Sequence, residues 1–429
     1  MWMDRVTHVR IVACLLCLAG TARANVFDTY GQGAATVAIG NATTAAGRSA
    51  YAAYTNPATL TSSDQSEVAT HLMMTRFRLR ELPEERDTTW ANESNQGRAG
   101  GRDLEGATLG IHLKLSDPLH FGLATYLPQG KVGRIRGLSP QQTTYLRYDG
   151  QEQKPVAFTA LAWRVSPAFS IGGGAYYSLR ARGTLQVNLA QDQSEGRLDL
   201  DLEPVVVPYG GVLWQHDRLK IGATYREAQE SASEIDSSFA FSTAEATLPF
   251  EARTSLVPYF DPAQTRLGMA WEDSTYALFL AFEKSAWSQY RAPIVNLSGP
   301  DVAAVSAEGA ANNRKAGLRD TEAYRVGLSK PFGETVWGHM DLRCGYEYHT
   351  SAHKPGVRST LVDPSRQVLA LGTVWALPPD QEGRRLALEA AYQLSYLASF
   401  KTYAANGDTA ITRGGSTLHT LSGGLNYAL

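Results

Sequence analysis

Alternating apolar and polar residues recur along most of the chain after residue 66, and this pattern restricts the fold more than any other feature. Successive side chains of a β-strand point to opposite faces, so the alternation predicts strands with one apolar face. No helical periodicity separates these segments, and we predict an all-β fold. Fourteen strands are predicted, at about 67–80, 104–115, 121–136, 156–165, 169–189, 197–214, 219–241, 265–271, 276–290, 322–332, 336–349, 367–377, 385–400 and 416–429.

The connections between these segments alternate between short and long. Those after even-numbered strands are short, as at 116–118 and 216–218, whereas most of those after odd-numbered strands are long and polar, as at 81–103, 247–262 and 291–320. A transmembrane β-barrel has tight turns at one rim and longer loops at the other. We therefore predict a fourteen-stranded antiparallel transmembrane β-barrel over residues 66–429.

Charged side chains keep to one face of each predicted strand. In the segment 335–348, Asp341, Arg343 and Glu347 share one parity, and the other parity carries apolar residues and Cys344. A charge that faces lipid at the middle of the bilayer costs about 2–4 kcal/mol. We therefore expect the charged faces to line the barrel interior and the apolar faces to contact lipid.

The N-terminus has the three parts of a secretory signal peptide. Basic residues precede a short apolar stretch at 11–20, and a small-residue cleavage site ends at Ala24. The apolar stretch is too short to cross a bilayer as a helix. We expect residues 1–24 to be removed after export, although lipid attachment at Cys14 is an alternative. Only Cys344 would then remain, which excludes a disulfide framework.

Residues 25–65 form a segment rich in Gly and Ala with no period long enough to build a core. Something else must enclose it, and we predict that it is a hatch inside the barrel. Pro57 lacks a backbone donor and restricts Asn56 to extended or turn geometry, while the Asn56 amide is suited to bonding nearby backbone. We expect this pair to fix the hatch to the lumen wall; an ordinary surface turn is the alternative.

Most of the chain after residue 24 resembles the FadL-type outer-membrane transporters of long-chain fatty acids and other hydrophobic compounds. The most specific matches are the glycine-rich opening at 30–34 and the segment 51–60, which contains Asn-Pro-Ala at 56–58. Supporting matches lie at 265–271, 343–348 and 363–366. The chain departs from the family at Gly47-Arg48, Thr59 and Leu429, where members often carry an acidic residue, Gly and Phe, respectively.

This resemblance implies an outer-membrane barrel with a hatch that closes its periplasmic side. A hydrophobic ligand would be captured near the extracellular loops, descend into an apolar pocket beside the hatch, and leave sideways into the membrane lipid through a gap at a kinked third strand. The resemblance also implies that the barrel assembly machinery recognises the C-terminal strand.

Three groups of residues are candidates for these steps. The hatch residues are Gly31, Gly33, Asn56, Pro57 and Ala58. The residues for a lateral opening are Pro128 and Gly130, which weaken strand pairing, unless they mark a strand end above the membrane. The candidate ligand-binding residues are Phe27, Tyr176, Arg180 and Arg182.

Phe27 belongs to this last group because the family's N-terminal tail reaches the ligand pocket. Tyr176, Arg180 and Arg182 have the parity of the interior face. Arginines in that position are suited to a fatty-acid carboxylate. Pairing with the acidic residues at 199, 201 and 203 on the next strand is the alternative for both arginines.

Other classes of function are poorly supported. The net charge of −2 and the interspersed charges argue against a nucleic-acid partner. The histidines are scattered, and neither a Gly-x-Ser-x-Gly motif nor metal-ligand spacing occurs, so we expect no enzyme activity, cofactor or metal. We predict a passive channel for hydrophobic small molecules; an interaction barrel that binds a partner, or a lipid hydrolase, is the alternative.

Overall fold

The computed structural model describes residues 26–46, 49–80, 103–129, 144–148, 154–189, 194–242, 247–290, 296–298, 318–354, 361–403 and 410–429. Its main feature is one antiparallel sheet that closes into a barrel. The fourteen strands of the barrel are β1 (Glu67–Arg78), β2 (Leu104–Lys114), β3 (Leu119–Pro128), β5 (Val156–Ser166), β6 (Phe169–Leu189), β7 (Ser194–His216), β8 (Leu219–Arg226), β11 (Gln264–Glu272), β12 (Ala277–Ser285), β14 (Thr321–Thr335), β15 (Gly338–His349), β17 (Arg366–Ala376), β18 (Arg385–Leu397) and β21 (Ser416–Ala428).

The barrel closes where its first and last strands pair. β21 pairs with β1 from Glu67↔Ala428 to Arg78↔Thr417, and β1 also pairs with β2. Closure leaves neither β1 nor β21 with an unpaired edge in the hydrocarbon region, where unsatisfied backbone groups cost several kcal/mol each. The predicted fourteen-stranded antiparallel barrel is confirmed.

The remaining strands lie at the rim that carries the long loops. β9 (Gln229–Ser242) and β10 (Thr247–Asp261) form a hairpin, and β13 (Asn296–Ser298) pairs with β10. β4 (Thr144–Tyr145) pairs with β16 (Leu361–Val362), and β19 (Phe400–Tyr403) pairs with β20 (Ala410–Arg413).

The hairpin of β9 and β10 corrects two predictions. The seventh strand was predicted at 219–241, but β8 ends at Arg226 and the alternation continues in β9. The predicted loop at 247–262 is mostly β10. β6 and β7 exceed the 9–11 residues that cross a bilayer, and β9 pairs in parallel with the projecting part of β6. An alternating pattern therefore continues beyond the membrane.

One predicted turn is also wrong. The strands predicted at 322–332 and 336–349 place the turn around Gly333 and Glu334, whereas β14 continues to Thr335 and the turn consists of Val336 and Trp337. The register of β14 against β15 shifts between Pro331 and Glu334, and Gly333 has a φ of +75°. A bulge thus uses the glycine that suggested the turn.

The two faces of the strands differ in exposure as predicted. On β15, Met340, Leu342 and Tyr346 face outward and Cys344 is exposed, whereas Glu347 on the other parity is 1% exposed. The outer surface is therefore apolar and the inner surface polar, as a lipid-embedded barrel requires.

Residues 26–46 and 49–62 lie in the lumen and contain short helices and irregular backbone. The helices are α1 (Val26–Tyr30), α2 (Ala34–Ala38), α3 (Ala52–Thr55) and the 3₁₀-helix η1 (Pro57–Ser62); a further 3₁₀-helix, η2 (Trp287–Gln289), belongs to the loops. In the described part of the chain, the helices are too short or too polar to cross a membrane.

Candidate functional site

A belt of glycines on the inner wall lets the hatch lie directly against the barrel. On nine strands, a Cβ atom added to the glycine would come within 3.0 Å of hatch atoms. These glycines are Gly110, Gly122, Gly172, Gly211, Gly222, Gly268, Gly327, Gly345 and Gly372. Neighbouring strands place them in register at Gly172↔Gly211, Gly222↔Gly268 and Gly327↔Gly345. The hatch therefore packs on the wall backbone at one level of the lumen.

Asn56 attaches the hatch to this belt. Its side-chain Nδ2 donates to the carbonyl oxygens of Thr44 at 2.8 Å and Val212 at 3.1 Å, and its Oδ1 accepts from the Ala58 N–H at 3.1 Å. Pro57 begins η1, and Asn56 before it is extended, with φ −160° and ψ 110°. The amide is completely buried, so these bonds replace water for a segment that has no regular partner strand.

Gly31 and Gly33 form the turn between α1 and α2. Their φ values are +82° and +68°, a region that residues with a side chain rarely adopt. A Cβ at Gly33 would also lie 2.7 Å from the Tyr51 ring. The glycine-rich opening thus allows α1 to turn back across the lumen.

An aromatic cluster forms where helices α1 and α3 of the hatch meet the wall, and it holds the side chain of Phe27. Phe27 is 2% exposed, and its ring centroid lies 5.1 Å from that of Tyr54, 6.0 Å from Tyr126 and 6.3 Å from Phe158. Phe158 stacks on Tyr176 at 4.4 Å. Tyr209 completes the aromatic cluster, which consists of Phe27, Tyr54, Tyr126, Phe158, Tyr176 and Tyr209.

A ladder of buried charges crosses the wall beside this cluster. Its members lie on consecutive barrel strands from β8 to β17 and are Arg226, Arg266, Glu283, Arg325, Glu347 and Arg366. Glu283 accepts from Arg266 at 2.8 Å and pairs with Arg325 at 3.1 Å. Glu347 pairs with Arg325 at 3.4 Å and accepts from Arg366 at 2.7 Å. From Arg266 to Arg366 the signs alternate, which allows these charges to remain buried in the lumen.

The N-terminal helix α1 binds both ends of this ladder. The Asp28 carboxylate pairs with Arg226 and, at 2.9 Å, with Arg266. Arg366 donates to the backbone oxygen of Thr29 at 2.5 Å. Burial raises the pKa of the Tyr54 phenol, so its hydroxyl keeps its proton and donates to Asp28 at 2.5 Å. Helix α1 is therefore held by charge and not only by packing.

Little space remains between α1, α2 and the ladder. A cavity of about 20 Å³ lies there, lined by residues that include Asp28, Gln32, Thr36 and Arg325. This volume is enough for about one water molecule. A hydrophobic ligand therefore requires movement of the chain to enter this part of the lumen.

Loops cover the lumen at the rim that carries the long connections. Arg147 donates to Asp363 at 2.8 and 2.6 Å, and the Tyr30 hydroxyl donates to the Arg147 backbone oxygen at 3.5 Å. An apolar cluster beside this pair contains Leu146, Phe260, Trp287, Tyr290, Leu318, Ala352 and Leu361. The cover therefore contacts α1 directly.

The remaining residues predicted for ligand binding and for the lateral opening do not lie together in one site. Tyr176 belongs to the aromatic cluster and donates to Asp261. Arg180 donates to Glu203 at 2.7 Å, and Arg182 lies 3.6 Å from the same carboxylate, so the structure contains the alternative ion pairs. Pro128 is the last residue of β3, and Gly130 lies outside the described residues.

Sequence analysis did not identify the ladder. Strand parity predicts that each of its members faces inward, but it does not tell which charges become neighbours. One charged residue at a similar height on each consecutive barrel strand, with signs that alternate from Arg266 onward, is the signal that could have found it. Among the described residues, no group of His, Cys, Asp and Glu is arranged to hold a metal.

A family model described as "Outer membrane protein transport protein (OMPP1/FadL/TodX)" matches residues 15–420. A comparison with curated proteins found no match.

Several solved structures are similar to this one. A FadL homologue from Pseudomonas aeruginosa has a TM-score of 0.59 and 14% identity, over 96% of this chain and 99% of that chain. The CymD monoaromatic hydrocarbon channel has a TM-score of 0.54 and 14% identity, over 92% and 97%. The toluene transporter TbuX from Ralstonia pickettii has a TM-score of 0.51 and 14% identity, over 94% and 99%. At these identities, the similarity concerns the fold.

Proposed function

Since the chain belongs to the OMPP1/FadL/TodX family of outer-membrane transport proteins, we propose that it is a passive channel for hydrophobic compounds such as long-chain fatty acids. The ligand enters between the extracellular loops, occupies the aromatic cluster above the hatch, and leaves sideways into the bilayer. The gradient of the ligand drives transport.

The observation that carries this proposal is the position of Phe27. The lumen wall is mostly polar, yet the aromatic cluster forms an apolar site within it, and a ring from the first helix of the hatch fills that site. Burial of an apolar side chain contributes about 1.5–3 kcal/mol. A hydrophobic ligand that takes the place of the ring gains a similar contribution, which suits reversible capture.

Strand pairing beside this cluster supports lateral release. β3 pairs with β5 as far as Tyr126↔Val156, whereas its pairing with β2 continues to Gly106↔Pro128. The pairing of β3 with β5 therefore ends at Tyr126, a member of the aromatic cluster. Pro128 has no N–H with which to continue the pairing. An opening at this point would lead from the cluster to lipid.

Uptake of radiolabelled fatty acid by a deletion strain, with and without the cloned protein, tests the proposal. We expect uptake to depend on the protein and to fall severalfold in Asn56→Asp, which keeps the acceptor for Ala58 but loses the donors to Thr44 in the hatch and to Val212 in the wall. Gln215→Glu is the matched control, because its side-chain amide is exposed and donates to Pro167 outside the hatch. Pro128→Ala tests the exit and is expected to slow uptake.

Equal uptake with and without the protein would contradict transport. In that case the protein would be a barrel that its hatch keeps closed, and its loops would bind another protein. If uptake requires the protein but Pro128→Ala leaves its rate unchanged, transport stands and the exit at β3 is wrong.

A further inference from the structure

We infer that a groove on the lipid-facing side of the barrel binds one acyl chain of an outer-leaflet lipid. This outer groove crosses β8, β11, β12, β14 and β15 and has a volume of about 600 Å³. It lies outside the lumen, so a lipid bound there belongs to the membrane around the channel and is not a transported compound. The site is therefore additional to the proposed function.

Two parallel rows of outward side chains form the sides of the outer groove. The register of the strands places the members of each row opposite one another on neighbouring strands. The row nearer the short-turn rim consists of Ile221, Met269, Leu280, Val326 and Tyr346. The other row consists of Leu267, Phe282 and Tyr324. The sides of the groove are therefore apolar except for the tyrosine hydroxyls.

The floor of the outer groove is the backbone of the wall. Gly268, Ala281 and Arg325 lie between the two rows and have the parity of the interior face. A Cβ atom on Gly268 would lie 2.6 Å from the Thr44 Cβ in the hatch, and the Arg325 side chain is buried and paired with Glu283. The five strands remain paired with one another beneath the groove. The groove is therefore a fixed feature of a closed wall.

The length and slope of the outer groove suit an acyl chain. Paired strands lie about 4.8 Å apart, so a groove across five strands is about 19 Å long. Strands of such barrels tilt by about 35–45°, so a line perpendicular to them descends by about 11–14 Å over this length. The hydrocarbon of one leaflet is about 15 Å deep. A chain that follows the groove therefore stays within one leaflet.

The upper end of the outer groove lies at β15, near the long-loop rim. Tyr346 and Tyr348 come just before His349, which ends β15, whereas Ile221 lies close to Leu219, which begins β8 at the short-turn rim. No group in the described part of the chain forms a hydrogen bond with the hydroxyl of either tyrosine. These donors suit the ester or amide carbonyls that join an acyl chain to its headgroup. The headgroup would thus lie in the outer leaflet.

Close packing explains why a chain would bind in the outer groove and not elsewhere on the outer face. Inside the hydrocarbon, no hydrophobic driving force favours association, so van der Waals contact decides. A chain on a flat face touches the protein on one side, whereas a chain in the groove touches both rows and the floor. A second copy of the barrel presents a broad convex face and cannot follow a groove between two adjacent rows of side chains.

Native mass spectrometry of the purified protein in non-ionic detergent, titrated with lipid A, tests the inference. We expect the wild-type protein to bind one lipid A at least fivefold more tightly than Leu280→Trp, in which the indole fills the middle of the groove. Leu72→Trp is the matched control, because Leu72 is an outward residue of β1 outside the groove. It should bind lipid A as tightly as the wild type.

Two further variants remove contacts without adding bulk. Leu280→Ala shortens one side of the groove and should weaken binding severalfold; it decides the question if Leu280→Trp does not fold, as judged by migration of the unheated protein in detergent gels. The double variant Tyr346→Phe, Tyr348→Phe removes both hydroxyl donors and should also weaken binding severalfold. Tyr396→Phe, at the same rim on β18, is its control and should leave binding unchanged.

A wild-type protein that binds no lipid A would overturn the inference. So would equal binding by the wild type, Leu280→Trp and Leu280→Ala, or dimers that disappear in Leu280→Trp, since a second copy would then occupy the groove. Unchanged binding in the double tyrosine variant would overturn the position given to the headgroup. All of these results leave the proposed function intact, because uptake of hydrophobic compounds does not require a lipid at this site.

Discussion

Gly345 gives the clearest case of a single residue that decides how the hatch and wall fit. A Cβ atom at this position would lie 2.1 Å from the Gly40 backbone nitrogen, and Gly327 lies opposite it in register on β14. Backbone atoms cannot rotate away from a new methyl group as a side chain can. The hatch must therefore shift if this glycine gains a side chain.

We accordingly expect Gly345→Ala to cost about 1–3 kcal/mol, the usual effect of overpacking. Hydrogen exchange measured by mass spectrometry should show faster exchange in the hatch around residues 36–44. Gly173→Ala is the matched control on a barrel strand, because it faces outward and its nearest neighbour would be the Tyr209 oxygen at 3.7 Å. Equal exchange in the two variants would show that the belt does not hold the hatch.

At the scale of elements, each barrel strand from β8 to β17 contributes one charge to the ladder, and Glu283 on β12 joins two of these charges. It is 2% exposed and contacts both Arg266 and Arg325. Removing one partner from a buried ion pair leaves an uncompensated charge, which costs about 3–5 kcal/mol. The ladder is therefore sensitive at its central carboxylates.

Glu283→Gln should lower the midpoint of thermal unfolding, followed by the heat-dependent shift of the protein in detergent gels. The near-isosteric amide separates the loss of charge from a change in packing. Glu272→Gln is the matched control. It removes an ion pair with Lys220, 2.7 Å away at the short-turn rim. This pair is partly exposed, so its loss should cost about 1 kcal/mol or less. Similar midpoints for both variants would argue against a stabilising ladder.

At the scale of the whole molecule, the barrel is a polar lumen inside an apolar wall. Leu371 lies on the outer face of β17 opposite Cys344 and is 62% exposed. Leu115 also faces outward, but it follows the end of β2 at the short-turn rim. The two residues therefore sample different depths of the membrane.

We expect Leu371→Arg to cost about 2–4 kcal/mol and to reduce the fraction that folds into lipid vesicles. Leu115→Arg should cost about 0–1 kcal/mol, because charge is tolerated near the interface. The folded fraction is measured from unheated samples in detergent gels. Equal yields would contradict the depth that we assign to β17.

The sequence predicts the barrel well because alternation and loop length can each be read from a short stretch of the chain. Parity placed Glu347 inside and Leu342 outside from period-2 patterns alone. Parity failed at Phe241, because alternation cannot distinguish a strand in lipid from a strand in a hairpin that projects beyond the membrane. The contact between Asp28 and Arg226 was beyond it, because two segments nearly 200 residues apart meet only once the barrel closes and the hatch folds back.

The belt of glycines has a consequence for how such a channel can diversify. The floor of the lumen is a contact between small hatch groups and the bare backbone of the wall, and this backbone has no chemical preference for one ligand over another. Substitutions in the lumen on the loop side of this contact, at Tyr126 or Arg226 for example, can alter which ligand binds without opening the contact between hatch and wall. Grafting the upper lumen of one such barrel onto the base of another should therefore transfer selectivity and preserve the seal.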